Sequence, residues 1–533
     1  MSELEKTLTA MECQHSLFEN AVREMPVPVC EVFLADEKIK ACGFRVRPAS
    51  LKSRKDAVQV KKYFAQSSAA HNDQILEGIS TYDEMPQDKR IAVLFSGGPA
   101  AGGHNVVVGI FKALGKNNTL LGVKAGPKGL LNGDLFTITE NDIKRIMNTG
   151  GFDFLGSDRT KIKTDEQFQK VKAVCKENDL NAIIVVGGDD SNTNAALLAE
   201  YLYADGVQVI GVPKTIDGDL QIGDLLPISF GFDTATKIYA EMVGNILQDT
   251  PSSRKYWHFI KLMGRSASHV TLEVALQTKP AVCLVSEEIE AKSMSLEQTV
   301  NNILDVILKR AASGINHGVI VIPEGLVEFI PEMKTLIEEL NEVLAKHDHE
   351  LNSMELSRKK DYIYAKLSAN SAKLMASLPD EFENMLLLDR DAHGNLQVSQ
   401  IPTEKLLIEI VGPKIKEIQN STELLAKYNF SEAETEKVKK YKFSTNNHFF
   451  GYEGRCGAPS LFDAAYTLNL GLTAGSLVLA GKTGMIVGLT DLSAEMKPVA
   501  IPLTSLMNIE RRHGKDEFVI EKALTELSSA AFK

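Results

Sequence analysis

Short apolar runs that stop at glycine recur through the first half of this sequence, and they narrow the possible folds more than any other feature. Ile91-Ala-Val-Leu-Phe ends in Ser96-Gly97-Gly98, Ala182-Ile-Ile-Val-Val ends in Gly187-Gly188, and Val207-Gln-Val-Ile ends at Gly211. Trp257-His-Phe-Ile-Lys-Leu, Ala281-Val-Cys-Leu-Val and Gly318-Val-Ile-Val-Ile follow. Each run has the length and apolar continuity of a strand buried on both faces. Helical stretches at 105–114 and 194–203 follow two of the glycine turns. Strands alternating with helices imply an α/β protein with a mostly parallel sheet.

The runs fall into two clusters, 91–215 and 257–325, which predicts two Rossmann-like three-layer domains. Asp249-Thr-Pro-Ser-Ser reads as the linker between them. Residues 1–85 are mixed and polar, with few strand signals, and read as an N-terminal extension. The first α/β domain is expected over 86–250 and the second over 251–330 and 441–533. Between the two parts of the second domain, Met333, Leu336, Ile337, Leu340, Val343 and Leu344 repeat at helical spacing, which predicts a helical insertion over 331–440. Strand character returns at Gly484-Met-Ile-Val-Gly-Leu.

Of 533 residues, 59 are Lys or Arg and 70 are Asp or Glu, a net charge of −11. That balance argues against a nucleic-acid binder working through bulk charge, but a local phosphate pocket needs only a few donors. Six cysteines, at 13, 30, 42, 175, 283 and 456, form no CxxC pair, so buried thiols in a reducing compartment are expected. No stretch approaches the length of a membrane span, and the N-terminus lacks the apolar core of a signal peptide. A soluble cytoplasmic protein is expected.

In an open parallel sheet, ligands gather at the carboxyl ends of strands. The first such end carries Ser96-Gly97-Gly98-Pro99-Ala100-Ala101-Gly102-Gly103. Glycines let backbone N–H groups approach an anion, and the following helix adds its positive end. The alternative is a tight turn with no ligand; the loop is neither a Walker A motif nor GxGxxG. The second end carries Gly187-Gly188-Asp189-Asp190. Adjacent carboxylates repel, so a cation such as Mg²⁺ shared with substrate phosphates would offset the cost; helix capping is the other reading. The third, Pro213-Lys214-Thr215-Ile216-Asp217-Gly218-Asp219, sets a phosphate-neutralising lysine beside a potential proton acceptor. Met263-Gly264-Arg265, Pro323-Glu324-Gly325 and Gly451-Tyr452-Glu453-Gly454-Arg455 each set an Arg or Glu next to glycine; guanidinium groups suit phosphate and carboxylates suit sugar hydroxyls, but taken singly each motif reads as structural.

In this order the motifs resemble those of the phosphofructokinases, and within them the long pyrophosphate-dependent branch. The resemblance spans roughly 90–460. It implies the phosphofructokinase fold and reversible, Mg²⁺-dependent phosphoryl transfer from pyrophosphate to the 1-hydroxyl of fructose 6-phosphate. ATP-dependent relatives carry glycine at the positions of Asp190 and Lys214. A carboxylate at 190 would meet the ATP α-phosphate, whereas Lys214 would neutralise pyrophosphate. The resemblance makes Asp217 the general base and Asp189 the metal ligand, with Lys214 and Asp190 also in the catalytic set. Gly97, Gly98 and Lys214 would bind pyrophosphate. Thr215, Asp217, Asp219, Met263, Gly264, Arg265, Glu324, Tyr452 and Arg455 would bind the substrate. Lys255 and Tyr256 would reach the sugar phosphate of a neighbouring subunit, which implies a homodimer. Arg159 is a further phosphate candidate, although Asp158, where many relatives have glycine, could partly neutralise it.

Three rivals remain at this point: an ATP-dependent phosphofructokinase, which Asp190 and Lys214 argue against, a non-catalytic regulatory subunit, and a helical scaffold whose insertion is the functional part. A non-catalytic regulatory subunit should lose the base or the metal carboxylate, and this chain keeps Asp189, Asp217 and Asp219. His347-Asp348-His349-Glu350 in the insertion could be taken for a metal cluster, but His-x-His points to opposite sides of a helix, and a solvated face is expected.

Overall fold

The computed structural model describes residues 16–48, 54–69, 73–82, 86–351, 354–388, 401–493, 495–512 and 515–533. Along the chain, the elements that position functional residues begin with β1 (Gly43–Val46), β2 (Leu76–Ile79), β3 (Arg90–Ser96), α1 (Gly103–Leu114), β4 (Thr119–Val123), β5 (Leu135–Thr137) and β6 (Ser157–Asp158). Then come β7 (Ala182–Gly187), α2 (Asp189–Leu202), β8 (Gln208–Pro213) and α3 (Phe232–Ser253). The middle of the chain supplies β9 (Trp257–Leu262), α4 (His269–Thr278), β10 (Val282–Cys283), α5 (Leu296–Ala312), β11 (Gly318–Pro323), α6 (Pro331–Lys346), α7 (Thr403–Asn420) and β12 (Thr445–Phe450). The end supplies α8 (Leu461–Leu479), β13 (Met485–Thr490), β14 (Lys497–Pro502), β15 (Met507–Arg512) and β16 (Lys515–Ile520).

Two compact units result, Met1–Ala235 with Tyr452–Ala523, and Thr236–Gly451 with Leu524–Lys533. The first holds a ten-stranded sheet in the order β1-β2-β14-β13-β8-β7-β3-β4-β5, with β6 paired to β3. Its centre is parallel: Ile91 pairs with Ala182, Ile183 with Val209, and Ile210 with Met485. The edges, β1, β2, β14 and β5, run antiparallel to their neighbours. Val185, Val209, Leu198 and Ile486 share one core. The second unit holds a parallel four-stranded sheet, β10-β11-β9-β12. This is the expected fold class, two α/β domains of mostly parallel sheet.

The expected boundaries need four corrections. Residues 452–523 belong to the first unit and not the second, because β13 adds to the open edge of β8 and β14 folds back on β13. Gly43–Val46 and Leu76–Ile79 are not part of a separate extension, since as β1 and β2 they complete that same edge. Asp249-Thr-Pro-Ser-Ser is no linker but the last turn of α3. Pro251 removes the donor for the Leu247 carbonyl, and the Thr250 hydroxyl donates to that carbonyl instead, at 3.3 Å. The second helix begins at Asp189, five residues earlier than periodicity suggested, with Gly188 as its N-cap.

Residues 331–388 and 401–440, where described, carry helices and turns without strands. They are part of a core and not a surface decoration. Leu336 and Leu340 of α6, and Leu407 and Val411 of α7, share one apolar cluster with Trp257, Phe259, Ile303 and Ile307. Lys261, buried within β9, donates to the Ile401 carbonyl at 3.0 Å and lies 3.8 Å from the Glu404 carboxylate. In place of the expected solvated face, His347 is half-buried and meets Glu350 at 3.1 Å and the Tyr362 hydroxyl at 3.1 Å. The side chains of Asp348 and His349 lie outside the described residues.

Burial pushes the thiols of Cys30, Cys42, Cys175 and Cys283 up to about 12, which makes them poor nucleophiles. Cys456 is exposed, contrary to the expectation of buried thiols, and Cys13 lies outside the described residues. Among the described residues no helix is long and apolar enough to cross a membrane.

The start of α3 is fixed by a fully buried carboxylate. Asp463 accepts from the Gly231 and Thr234 amides at 3.0 and 2.8 Å, and from the Thr234 hydroxyl. Burial pushes its carboxyl up to about 6, so these donors are what hold the charged form at neutral pH. Asp463→Ala leaves the donors unpaired in the core, an expected loss of about 3 kcal/mol. Denaturant unfolding checks this, as a lower midpoint at unchanged slope.

Candidate functional site

In the first unit, three strand ends and one C-terminal segment bring the charged groups together. β3 ends at Ser96, and the chain turns at Gly97 with φ +84°, a conformation that side chains disfavour. The loop is tied to β6, since the Gly97 amide donates to the Asp158 carbonyl at 2.9 Å and the Ser157 hydroxyl donates to the Gly97 carbonyl at 2.8 Å. Glycine leaves this loop bare, and cations fill the space around it. A Cβ at Gly97 would lie 3.4 Å from the Lys214 ammonium. A Cβ at Gly98 would lie 3.4 Å from the Arg455 guanidinium and 3.7 Å from that of Arg159. Arg455 also stacks over the Tyr452 ring at 4.8 Å, and its Nε is buried without a hydrogen-bond partner. Three cations around a glycine loop, with a buried donor unmet, form a cradle for a polyanion.

Lys214 extends the β8 ladder by one residue, its amide donating to the Gly187 carbonyl at 2.9 Å. The side chain is buried, and burial pushes its amine down to about 8; Asp217 and Asp189 oppose that shift and Arg159 adds to it. The next turn is shaped locally: the Asp217 amide donates to the Thr215 hydroxyl at 3.0 Å, and Gly218 follows at φ +74°. Asp217 is therefore held half-buried beside Lys214.

Asp189 and Asp190 open α2, where the helix dipole favours carboxylates. Their surroundings differ. Asp190 is half exposed and pairs with Lys161 at 2.9 Å, so part of the charge it would present to a nucleotide is already neutralised. Asp189 is more enclosed, and burial, with Asp190 and Asp219 nearby, raises its carboxyl above the usual range. Lys522 offsets this, 3.8 Å from Asp189 and 3.5 Å from the buried Asp219. Two hard carboxylate oxygens sharing one cation are a donor set that suits a divalent metal.

Asp158 does not neutralise Arg159. Its carboxylate accepts from the Lys128 and Thr160 amides at 3.1 and 3.0 Å, and from the Thr160 hydroxyl at 2.7 Å. It shapes the loop and leaves the guanidinium of Arg159 beside Gly98.

The second unit carries the other expected residues. Met263, Gly264 and Arg265 follow β9, and Glu324 follows β11, its neighbour in the sheet. Glu324 is buried and accepts from the Gly264 amide at 2.9 Å, so it braces the Met263-Gly264-Arg265 loop. The Met263 amide donates to the Phe450 carbonyl at 3.0 Å, which ties the same loop to β12. Arg265 is exposed. Lys255 lies exposed between Arg254 and Tyr256, both left-handed at φ +52° and +66°. This costly kink turns Lys255 and Tyr256 away from the path of α3. Tyr452 and Arg455, expected in the second domain, belong to the first unit.

Sequence reasoning missed Lys161 and Lys522. Neither lies in a motif, and Lys522 reaches Asp189 only through the path of the folded C-terminal segment.

Known proteins resemble this chain along most of its length. Residues 90–359 match the sequence family described as Phosphofructokinase. The pyrophosphate–fructose 6-phosphate 1-phosphotransferase of Treponema pallidum is 47% identical over 457 residues, covering 84% of this chain and 77% of that protein. Subunit beta 2 of the Arabidopsis thaliana protein of that name is 44% identical over 483 residues, 89% of this chain and 81% of that one. The crystal structure of pyrophosphate-dependent phosphofructokinase from Marinobacter aquaeolei superposes with a TM-score of 0.52 at 16% identity, covering 83% of this chain and 88% of that one, a likeness of fold. With the motifs in order, the sheets as expected and close relatives along most of its length, the chain belongs to the phosphofructokinase family.

Proposed function

We propose that this chain is an enzyme that reversibly transfers a phosphoryl group from pyrophosphate to the 1-hydroxyl of fructose 6-phosphate, with Mg²⁺, giving fructose 1,6-bisphosphate and phosphate. The observation that carries this reading is the convergence of Lys214, Arg159 and Arg455 on Gly97 and Gly98, with Asp217 next to the lysine. The cradle offers dense positive charge at one point, which suits a small polyanion.

The chemistry asks mainly for positioning and charge. Gly97, Gly98 and Lys214 line the pyrophosphate site: the Gly97 amide holds the loop against the Asp158 carbonyl, the Gly98 amide faces the anion, and Lys214 supplies charge. Asp217 accepts the proton of the sugar hydroxyl as it attacks phosphorus, and the Thr215 hydroxyl fixes its place. Asp189 holds Mg²⁺, which when bound neutralises phosphoryl oxygens. Asp190 narrows the path for a nucleotide by its bulk and by the charge that Lys161 leaves unscreened. Thr215, Asp219, Met263, Gly264, Arg265, Glu324, Tyr452 and Arg455 bind or brace the sugar phosphate. Lys255 and Tyr256 serve a second copy of the chain in a cytoplasmic homodimer, a role that their exposed kink supports.

A donor comparison tests the reading. Purified protein receives fructose 6-phosphate and Mg²⁺ with either pyrophosphate or ATP, and fructose 1,6-bisphosphate is followed. Turnover with pyrophosphate alone is expected. Turnover with ATP overturns the roles of Asp190 and Lys214, and turnover with neither favours a regulatory subunit.

A further inference from the structure

We propose that Lys522 is the built-in counter-cation of the Asp189–Asp219 carboxylate pair, and that it makes the site refuse a bare divalent metal while admitting metal already bound to pyrophosphate. The proposal rests on Asp189 as the metal ligand.

Three features support it. The ammonium lies 3.8 Å from Asp189 Oδ2 and 3.5 Å from Asp219 Oδ2, between the two carboxylates and not bonded tightly to either. The backbone on both sides is anchored independently of the side chain. The Ile520 amide donates to the Thr193 hydroxyl at 3.3 Å, and the Ala523 amide donates to the Asp219 carbonyl at 2.7 Å. Glu521 accepts from Asn508 at 3.1 Å and pairs with Arg54. Finally, the Lys522 side chain keeps about a third of its surface open, at 32% exposure, so it can swing aside while its backbone stays put.

The consequence follows from charge. Two carboxylates facing each other repel, and a tethered ammonium removes that cost in the ligand-free protein. A free divalent cation must displace a like charge to reach them. A metal–pyrophosphate complex carries net negative charge, so the same lysine attracts it. A flexible, strongly hydrated ammonium suits this exchange better than a rigid guanidinium fork.

Binding of Mn²⁺ alone, without pyrophosphate, measured by electron paramagnetic resonance, tests the proposal. Lys522→Met and Lys522→Gln should each bind Mn²⁺ at least about fivefold tighter than the unchanged protein, and Lys522→Arg should stay within about twofold of it. In the Met and Gln variants the KM for Mg–pyrophosphate should rise. Adding Asp189→Asn to Lys522→Met should abolish the gained Mn²⁺ binding. Unchanged or weaker Mn²⁺ binding in both variants, with Asp189 still required, overturns the role of Lys522 alone. Binding that survives Asp189→Asn overturns the metal assignment and the proposal with it.

Discussion

Asp217→Asn lowers kcat for transfer from pyrophosphate by about 10³- to 10⁴-fold, with little change in KM for either substrate. The substitution keeps the shape of the side chain and the bond from the residue 217 amide to Thr215, so the turn stays as it is. What disappears is the carboxylate proposed as the acceptor of the sugar hydroxyl's proton. The neighbouring carboxylates are engaged with lysines: Asp219 and Asp189 with Lys522, and Asp190 with Lys161. Steady-state rates in both directions check this, since a base in one direction must be the acid in the other. A loss under about tenfold would remove Asp217 from the proton path.

Lys214→Met has opposite effects on activity and stability. Activity falls by about 10³-fold, because one charged donor to the transferring phosphate is lost. The ligand-free fold gains stability. The buried ammonium of Lys214 titrates at about 8, against 10.5 for a free lysine, so at neutral pH the folded protein carries a charge it disfavours. The sign is that of a depressed lysine. The penalty is constant below pH 8 and is relieved as pH rises from 8 to 10.5, where the folded form has already shed the proton. The shift corresponds to about 3 kcal/mol, and the gain in the variant is smaller because Asp217 and Asp189 lose a nearby cation. Thermal midpoints without ligand, at pH 7 and pH 9.5, check this: the variant exceeds the parent more at pH 7. In the unchanged enzyme, kcat/KM for pyrophosphate falls above pH 8. The guanidinium of Lys214→Arg does not titrate there, so residual activity in that variant keeps no such limb. A midpoint below that of the parent at pH 7 would rule out the burial penalty.

The central strands were legible because burial on both faces leaves no room for polar residues. Ile91-Ala-Val-Leu-Phe and Ala182-Ile-Ile-Val-Val could hardly be anything else. The edge strands were not. Gly43-Phe-Arg-Val and Leu76-Glu-Gly-Ile are partly exposed, so selection for apolar residues is weak there. Nor does composition say which sheet a strand joins. Met485-Ile-Val-Gly-Leu would suit either core, and only its pairing with Ile210 and Gly211 decides. The site followed the same division. Gly97, Lys214 and Asp217 sit in contiguous motifs whose spacing announces a strand end. Lys522 comes from a segment with no local signature, and its chemistry exists only through the folded path of the chain. Glu324 was legible as a candidate, but its bond to the Gly264 amide was not.

The order of strands in the larger sheet also bears on how the protein is made. The neighbour of β8 on its outer side is β13, which leaves the ribosome only after all of Thr236–Gly451 has been synthesised. The second unit takes its four strands from that uninterrupted stretch and can therefore mature first. Meanwhile the Gln208–Pro213 strand waits in the nascent chain with one row of amides and carbonyls unpaired and an apolar face uncovered. A message truncated between Phe450 and Met485 thus yields a polypeptide with all four strands of the second unit and one sticky edge in the first, a natural target for chaperones and proteases. The last eighty or so residues act as the clasp that makes the first half safe to release.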